Sequence, residues 1–116
     1  MNKRRILVVE DDNALATLYR SALSFAGYDV DVAGDGLAAL ENIDLEHPDL
    51  VVTELHMTPI GAAAILNEAA ATPDTRHIPF IVLSSESATE GLGASAVLRK
   101  PCAPSDLVAL VGRHLE

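Results

Sequence analysis

The sequence predicts an α/β domain built on a five-stranded parallel sheet with helices on both faces. Three observations lead there. The apolar runs Ile6-Leu7-Val8-Val9, Leu50-Val51-Val52 and Phe80-Ile81-Val82-Leu83 read as strands buried on both faces. Stretches with helical spacing alternate with these runs, as successive βα units require. Polar groups then gather just past the strand ends, where open α/β sheets keep their chemistry: Glu10-Asp11-Asp12, Glu54, Ser84-Ser85 and Lys100.

Each element has a local reason. After the first strand, Asp12 or Asn13 can cap a helix whose apolar stripe is Leu15, Leu18, Ala22 and Phe25, and Gly27 stops it. Tyr28 to Ala33 alternates with period two, which suits a half-exposed edge strand. Gly34-Asp35-Gly36 turns into a second helix facing inward through Ala39, Leu40 and Ile43, ended by His47-Pro48. The central strand begins behind Pro48-Asp49 and reaches Glu54. Ala62 to Ala71 is rich in helix formers, with Ile65, Leu66 and Ala69 inward, and Thr72-Pro73-Asp74 breaks it. After the fourth strand, Ser85 to Gly93 is polar and carries two glycines, so any helix there is short. With Leu92 as its large apolar anchor, the stretch from Ser85 to Ala94 is expected to be the most mobile part of the domain. Ala96-Val97-Leu98 supplies a fifth strand, and Pro104 opens a last helix buried through Leu107, Leu110 and Val111.

Composition narrows the function. With 116 residues and no linker, repeat or low-complexity tract, residues 1–116 read as one domain. Aromatic residues are only 3% of the chain, so Leu, Val, Ile and Ala must build the core. A net charge of −9 argues against nucleic acid and against anionic membrane surfaces, since Lys3-Arg4-Arg5 is too short a basic cluster to bind either. No apolar run has the length of a membrane span. A single cysteine, Cys102, rules out an internal disulfide and suits a reducing cytoplasm.

Carboxylates crowded at one sheet edge repel each other unless a cation joins them. Glu10, Asp11 and Glu54 would suit a hard divalent ion such as Mg²⁺, although the acids after the first strand would equally cap and complement the next helix. Lys100 can reach a carboxylate or a phosphoryl oxygen as a point charge, and the Lys100-Pro101 bond is a candidate cis peptide. Ser84 brings a hydroxyl to the same edge. His47, His56, His77 and His114 have no metal-ligand spacing, and Cys102 reads as a packing residue that the neighbouring Lys100 could activate.

The ordered set Ile6-Leu7-Val8-Val9-Glu10-Asp11-Asp12, Pro48-Asp49-Leu50-Val51-Val52, Ile78-Pro79-Phe80-Ile81-Val82-Leu83-Ser84 and Leu98-Arg99-Lys100-Pro101 resembles the receiver domain of bacterial two-component response regulators, of the chemotaxis-receiver type. The resemblance covers essentially the whole chain. It implies a flavodoxin-like sheet of order 2-1-3-4-5. It also implies that a sensor kinase passes a phosphoryl group from histidine to the acid ending the third strand. That phosphoacceptor position is Glu54 here, where the family has aspartate. Glu10 and Asp11, with Glu54, would be the Mg²⁺ positions, Ser84 and Lys100 would contact the phosphoryl group, and the switch aromatic is matched by Val97. Other departures are the turn Met57-Thr58-Pro59 with an early Gly61, and a spacing of sixteen positions from Ser84 to Lys100 that shortens the fourth helix.

A glutamate carries its carboxylate about 1.5 Å further than an aspartate, by one C–C bond. It would stand where a phosphoryl group belongs and could pair with Lys100. The expected function is therefore that of an atypical, pseudo-receiver domain in phosphorelay signal transduction, not normally phosphorylated, with Mg²⁺ bound weakly. It would be cytoplasmic and not an enzyme. It would act through protein contacts with a sensor kinase or downstream effector, since no DNA-binding effector follows Glu116, unless a further part exists. The oligomeric state is open, a homodimer included. The alternative is a small Mg²⁺-dependent phosphotransfer or phosphatase enzyme on the same acidic edge. A flavodoxin-like cofactor binder is disfavoured by the few aromatics and the missing phosphate loop.

Overall fold

The computed structural model describes residues 3–86 and 91–115. Its order is β1 (Arg5–Val9), α1 (Asn13–Phe25), β2 (Asp29–Ala33), α2 (Gly36–Glu46), β3 (Leu50–Glu54), α3 (Ala62–Ala71), β4 (Phe80–Ser84), β5 (Ala96–Arg99) and α4 (Pro104–His114). The five strands are parallel and ordered β2-β1-β3-β4-β5, as the sequence pattern and the family resemblance lead one to expect. Among the described residues no helix lies between β4 and β5, so there are four helices. Residues 87–90, on which part of the short helix and of the mobile stretch was expected, lie outside the described residues.

Alternation along the central strands divides the core in two. Leu7, Val9, Val51, Phe80 and Val82 face one side and pack with Ala39, Ile43, Ile65 and Leu66 from α2 and α3. Ile6, Val8, Leu50, Val52, Ile81 and Leu83 face the other and pack with Tyr19, Leu23, Leu107 and Val111 from α1 and α4. The runs were apolar throughout because both faces are covered.

The helix ends follow local chemistry. The Asp12 carboxylate accepts the Leu15 amide, and Asp35 accepts that of Ala38. Gly27 lies beyond α1 at φ 105°, a left-handed conformation that glycine adopts without strain. At α4, Pro104 opens the helix while the Asp106 carboxylate accepts the Ala103 amide. Peptide bonds Thr58–Pro59 and Lys100–Pro101 are cis.

One helix face differs from the sequence expectation. α1 buries Ala16, Tyr19 and Leu23, whereas Leu18 is 47% and Phe25 95% exposed. Leu15 is half-buried against the core, and Ala22 is likewise half-buried. The inward stripe is thus offset by one residue, roughly 100° of helical rotation, from the expected one. Both stripes carry apolar residues, and the one holding Tyr19 and Leu23 packs on the sheet.

Gly36, buried at the start of α2, carries another packing constraint. A Cβ added there would lie against the carbonyl oxygen of Ile60 and 2.7 Å from the Ile60 Cβ, whereas a Cβ at Gly34 would meet nothing within 4 Å. Gly36→Ala is therefore expected to lose about 1–3 kcal/mol by overpacking, and Gly34→Ala to stay within about 0.5 kcal/mol of wild type. Urea unfolding of the two variants side by side measures the difference.

Candidate functional site

The strand registers bring the predicted residues to one edge. Val9 pairs with Thr53, Glu54 with Leu83, and Ser84 with Arg99. Glu10, Glu54, Ser84 and Lys100 consequently follow or end four neighbouring strands at the same level of the sheet. The Lys100 amide donates to the Ser84 carbonyl at 2.9 Å, which holds the lysine directly beyond β5.

At the centre stands an ion pair. Lys100 Nζ donates to Glu54 Oε2 at 2.6 Å and lies 3.6 Å from Glu10 Oε1. The Glu10 side chain is only 3% exposed. Its Oε2 accepts the amides of Asp11 at 3.0 Å and Asp12 at 3.4 Å, while its Oε1 is buried without a hydrogen-bond partner. Burial opposes the charge on Lys100, yet the hydrogen bond and charge of Glu54, followed by the charge of Glu10, hold the ammonium's pKa above the ordinary 10.5. Lys100 is a fixed cation throughout the neutral range.

Not every predicted residue joins the cluster. Asp11 is exposed beside it, offering its amide to Glu10. Ser84 is buried, and its Oγ accepts the Glu86 amide at 2.9 Å. Val97 sits in β5 opposite Val82, 39% exposed. Cys102, read as a packing residue, is half-buried, and burial pushes its thiol's pKa above the ordinary 9.0 while the neighbouring Tyr19 and Lys100 act in the opposite direction. Sequence reasoning also missed an exposed contact at the rim, where His56 Nε2 and Glu86 Oε1 meet at 2.6 Å and join the loops after β3 and β4. Its only sequence signal was a histidine and an acid each two residues beyond a strand end.

Glu10 and Glu54 offer the hard oxygens that Mg²⁺ prefers, but Lys100 already shares their charge, and Asp11 beside Glu10 is exposed to solvent. Among the described residues no group of three or more His, Cys, Asp or Glu is placed to hold a metal ion. As arranged, the residues do not fit the expected divalent ion.

Burial raises the Glu10 pKa above the ordinary 4.5; the Glu54 charge adds to the rise and Lys100 offsets part of it. An acid that holds its proton more tightly in the folded state stabilises the fold at low pH. That contribution is complete below the unfolded value and disappears as pH rises through the folded one. Glu10→Gln is therefore expected to gain stability over wild type above the raised value, the advantage shrinking to nothing as pH falls below 4.5. Chemical unfolding of both proteins across this range, with EDTA present, measures it; an advantage that grows toward low pH would reverse the assignment.

Comparisons with known proteins agree with this geometry. The family model described as response regulator receiver domain matches residues 6–112. The chain is 39% identical over 111 residues to the response regulator MprA of Mycobacterium ulcerans, covering 90% of this chain and 47% of that protein. With MprA of Mycobacterium leprae the identity is 36% over 113 residues, covering 92% and 49%. The chain thus spans about half the length of these curated relatives. Among solved structures, it resembles the signal receiver domain of a signal transduction histidine kinase from Syntrophus aciditrophicus, with 29% identity, a TM-score of 0.90, and 97% and 89% of the two chains covered. The receiver domain of sensor histidine kinase PA1611 from Pseudomonas aeruginosa shares the fold at 24% identity, a TM-score of 0.87 and 97% coverage of each chain; that structure holds a magnesium ion coordinated in its active-site cleft.

Proposed function

The chain belongs to the response regulator receiver domain family of two-component signalling, and from that premise we propose that it is a receiver whose phosphoacceptor position no longer accepts a phosphoryl group. The observation that carries this reading is the 2.6 Å contact between Lys100 Nζ and Glu54 Oε2. At the end of β3, the longer glutamate carries its carboxylate onto the lysine, into the space an incoming phosphoryl group needs. The lysine that would neutralise the charge of the transferred group is engaged instead by a permanent charge of the protein.

On this reading Glu54 is the altered acceptor, Ser84 and Lys100 are the phosphoryl-contact positions, and Val97 stands at the switch position without an aromatic ring to swing. Residues 1–116 act as one signalling domain, not an enzyme. Divalent-ion binding by Glu10, Asp11 and Glu54 is weak because Lys100 already occupies the edge. The domain works by protein contact with a sensor kinase or an effector, and binds neither nucleic acid nor membrane. No helix of the described residues is long and apolar enough to cross a membrane. The free Cys102 suits a reducing compartment, so we place the domain in the cytoplasm.

Incubation of the wild-type protein with acetyl phosphate and Mg²⁺, read by intact mass, tests the proposal. No mass increase is expected. A phosphoryl group mapped to Glu54 would overturn it.

A further inference from the structure

Resting on the reading of Glu54 as an acceptor held by Lys100, we infer that the Lys100 ammonium is the resident cation of the acidic edge, so that a divalent ion enters only by displacing it. In this chain the metal and the lysine compete for one place rather than standing side by side.

The oxygen atoms are already assigned. Mg²⁺ demands a near-octahedral set of oxygens and usually takes one or two carboxylates and several waters. Glu54 Oε2 is committed to Nζ at 2.6 Å, and Glu10 Oε2 to two backbone amides. Glu10 Oε1 is the buried oxygen left without a hydrogen-bond partner, and the ammonium stands 3.6 Å from it. A dication on that oxygen would press directly against a positive charge. Asp11 lies beside Glu10 but exposed, so water screens its charge and it outweighs little of the repulsion.

The lysine also has little freedom to withdraw. Its backbone is tied to Ser84 at the end of β4, and its side chain is only 21% exposed. Moving it into solvent would leave two carboxylates without a counter-charge, one of them 3% exposed. A positive charge is here attached to the chain, and it offsets part of the edge's negative charge without regard to ion concentration.

Removing the ammonium should therefore create a divalent site. Mn²⁺ serves as the probe, with paramagnetic broadening of the Glu10, Asp11 and Asp12 amides as the readout. Wild type is expected to show no broadening there beyond that of its other surface carboxylates. Lys100→Met, similar in length and without charge, is expected to bind Mn²⁺ at least roughly tenfold tighter. Glu54→Asp keeps the lysine but draws the carboxylate back from it, and is expected to gain in the same direction. It provides the second arm should Lys100→Met fail to fold. Wild type binding as tightly as either folded variant, or no gain in either, would overturn the inference. Phosphoryl labelling is not read here, so an unlabelled wild type combined with tight Mn²⁺ binding would spare the acceptor reading and reject this one.

Discussion

Replacing Glu54 by aspartate is expected to turn a chain that takes no phosphoryl group into one that does. The surrounding groups remain in place: Glu10 and Lys100 flank the position, and Ser84 ends the neighbouring strand. The reaction needs an aspartate oxygen to attack the phosphorus of acetyl phosphate while the bond to the acetyl oxygen breaks and acetate leaves with the electron pair. Such transfers depend on alignment more than on intrinsic reactivity. A displacement of about 1 Å can cost ~10²-fold in rate, and the extra methylene of glutamate exceeds that. Glu54→Asp should thus be labelled at least ~10²-fold faster than wild type under the same Mg²⁺ and acetyl phosphate. Time-resolved intact mass, with the modified residue mapped, gives the answer. If the variant stays unlabelled, the cause lies beyond a single side chain, in the turn Met57-Thr58-Pro59 or in Lys100 itself.

The second large effect concerns α1. Leu23→Ala is expected to lose about 2–5 kcal/mol, because Leu23 is fully buried between α1 and the sheet and truncation leaves a cavity. Phe25→Ala, two residues on, should stay within about 0.5 kcal/mol of wild type, since that ring is 95% exposed. Urea denaturation of both variants reads the contrast. Equal losses, or the reverse order, would mean that α1 packs through the stripe of Leu18 and Phe25 after all.

That helix marks where the sequence ceased to be legible. The strands were readable because a parallel sheet covered on both faces needs unbroken apolar runs, and Ile6 to Val9, Leu50 to Val52 and Phe80 to Leu83 supply them. α3 was readable because Ile65, Leu66 and Ala69 form a single apolar stripe. α1 has two, and choosing between them needs the direction in which the chain leaves β1, a tertiary quantity. Tyr19 compounded the difficulty: a residue with a hydroxyl makes an ambiguous core candidate, yet it is 3% exposed. The candidate site divided similarly. Strand ends identified Glu10, Glu54, Ser84 and Lys100, but only the folded arrangement shows that Lys100 reaches both glutamates while Asp11 is exposed beside Glu10. The contact of His56 with Glu86 depends on how two loops approach each other, and thirty positions of sequence separate its partners.

The outer strand β2 has a consequence for crowded solutions. A free sheet edge is a template on which another copy of a protein can add its own strand. Along β2, Asp29 and Asp31 are exposed on one face, and Val30 and Val32 occupy the other. Two copies meeting edge to edge through β2 would bring these aspartates against each other, an arrangement that like charges disfavour. The apolar half of the strand, with Val32 41% exposed, is thereby kept from seeding stacked assemblies.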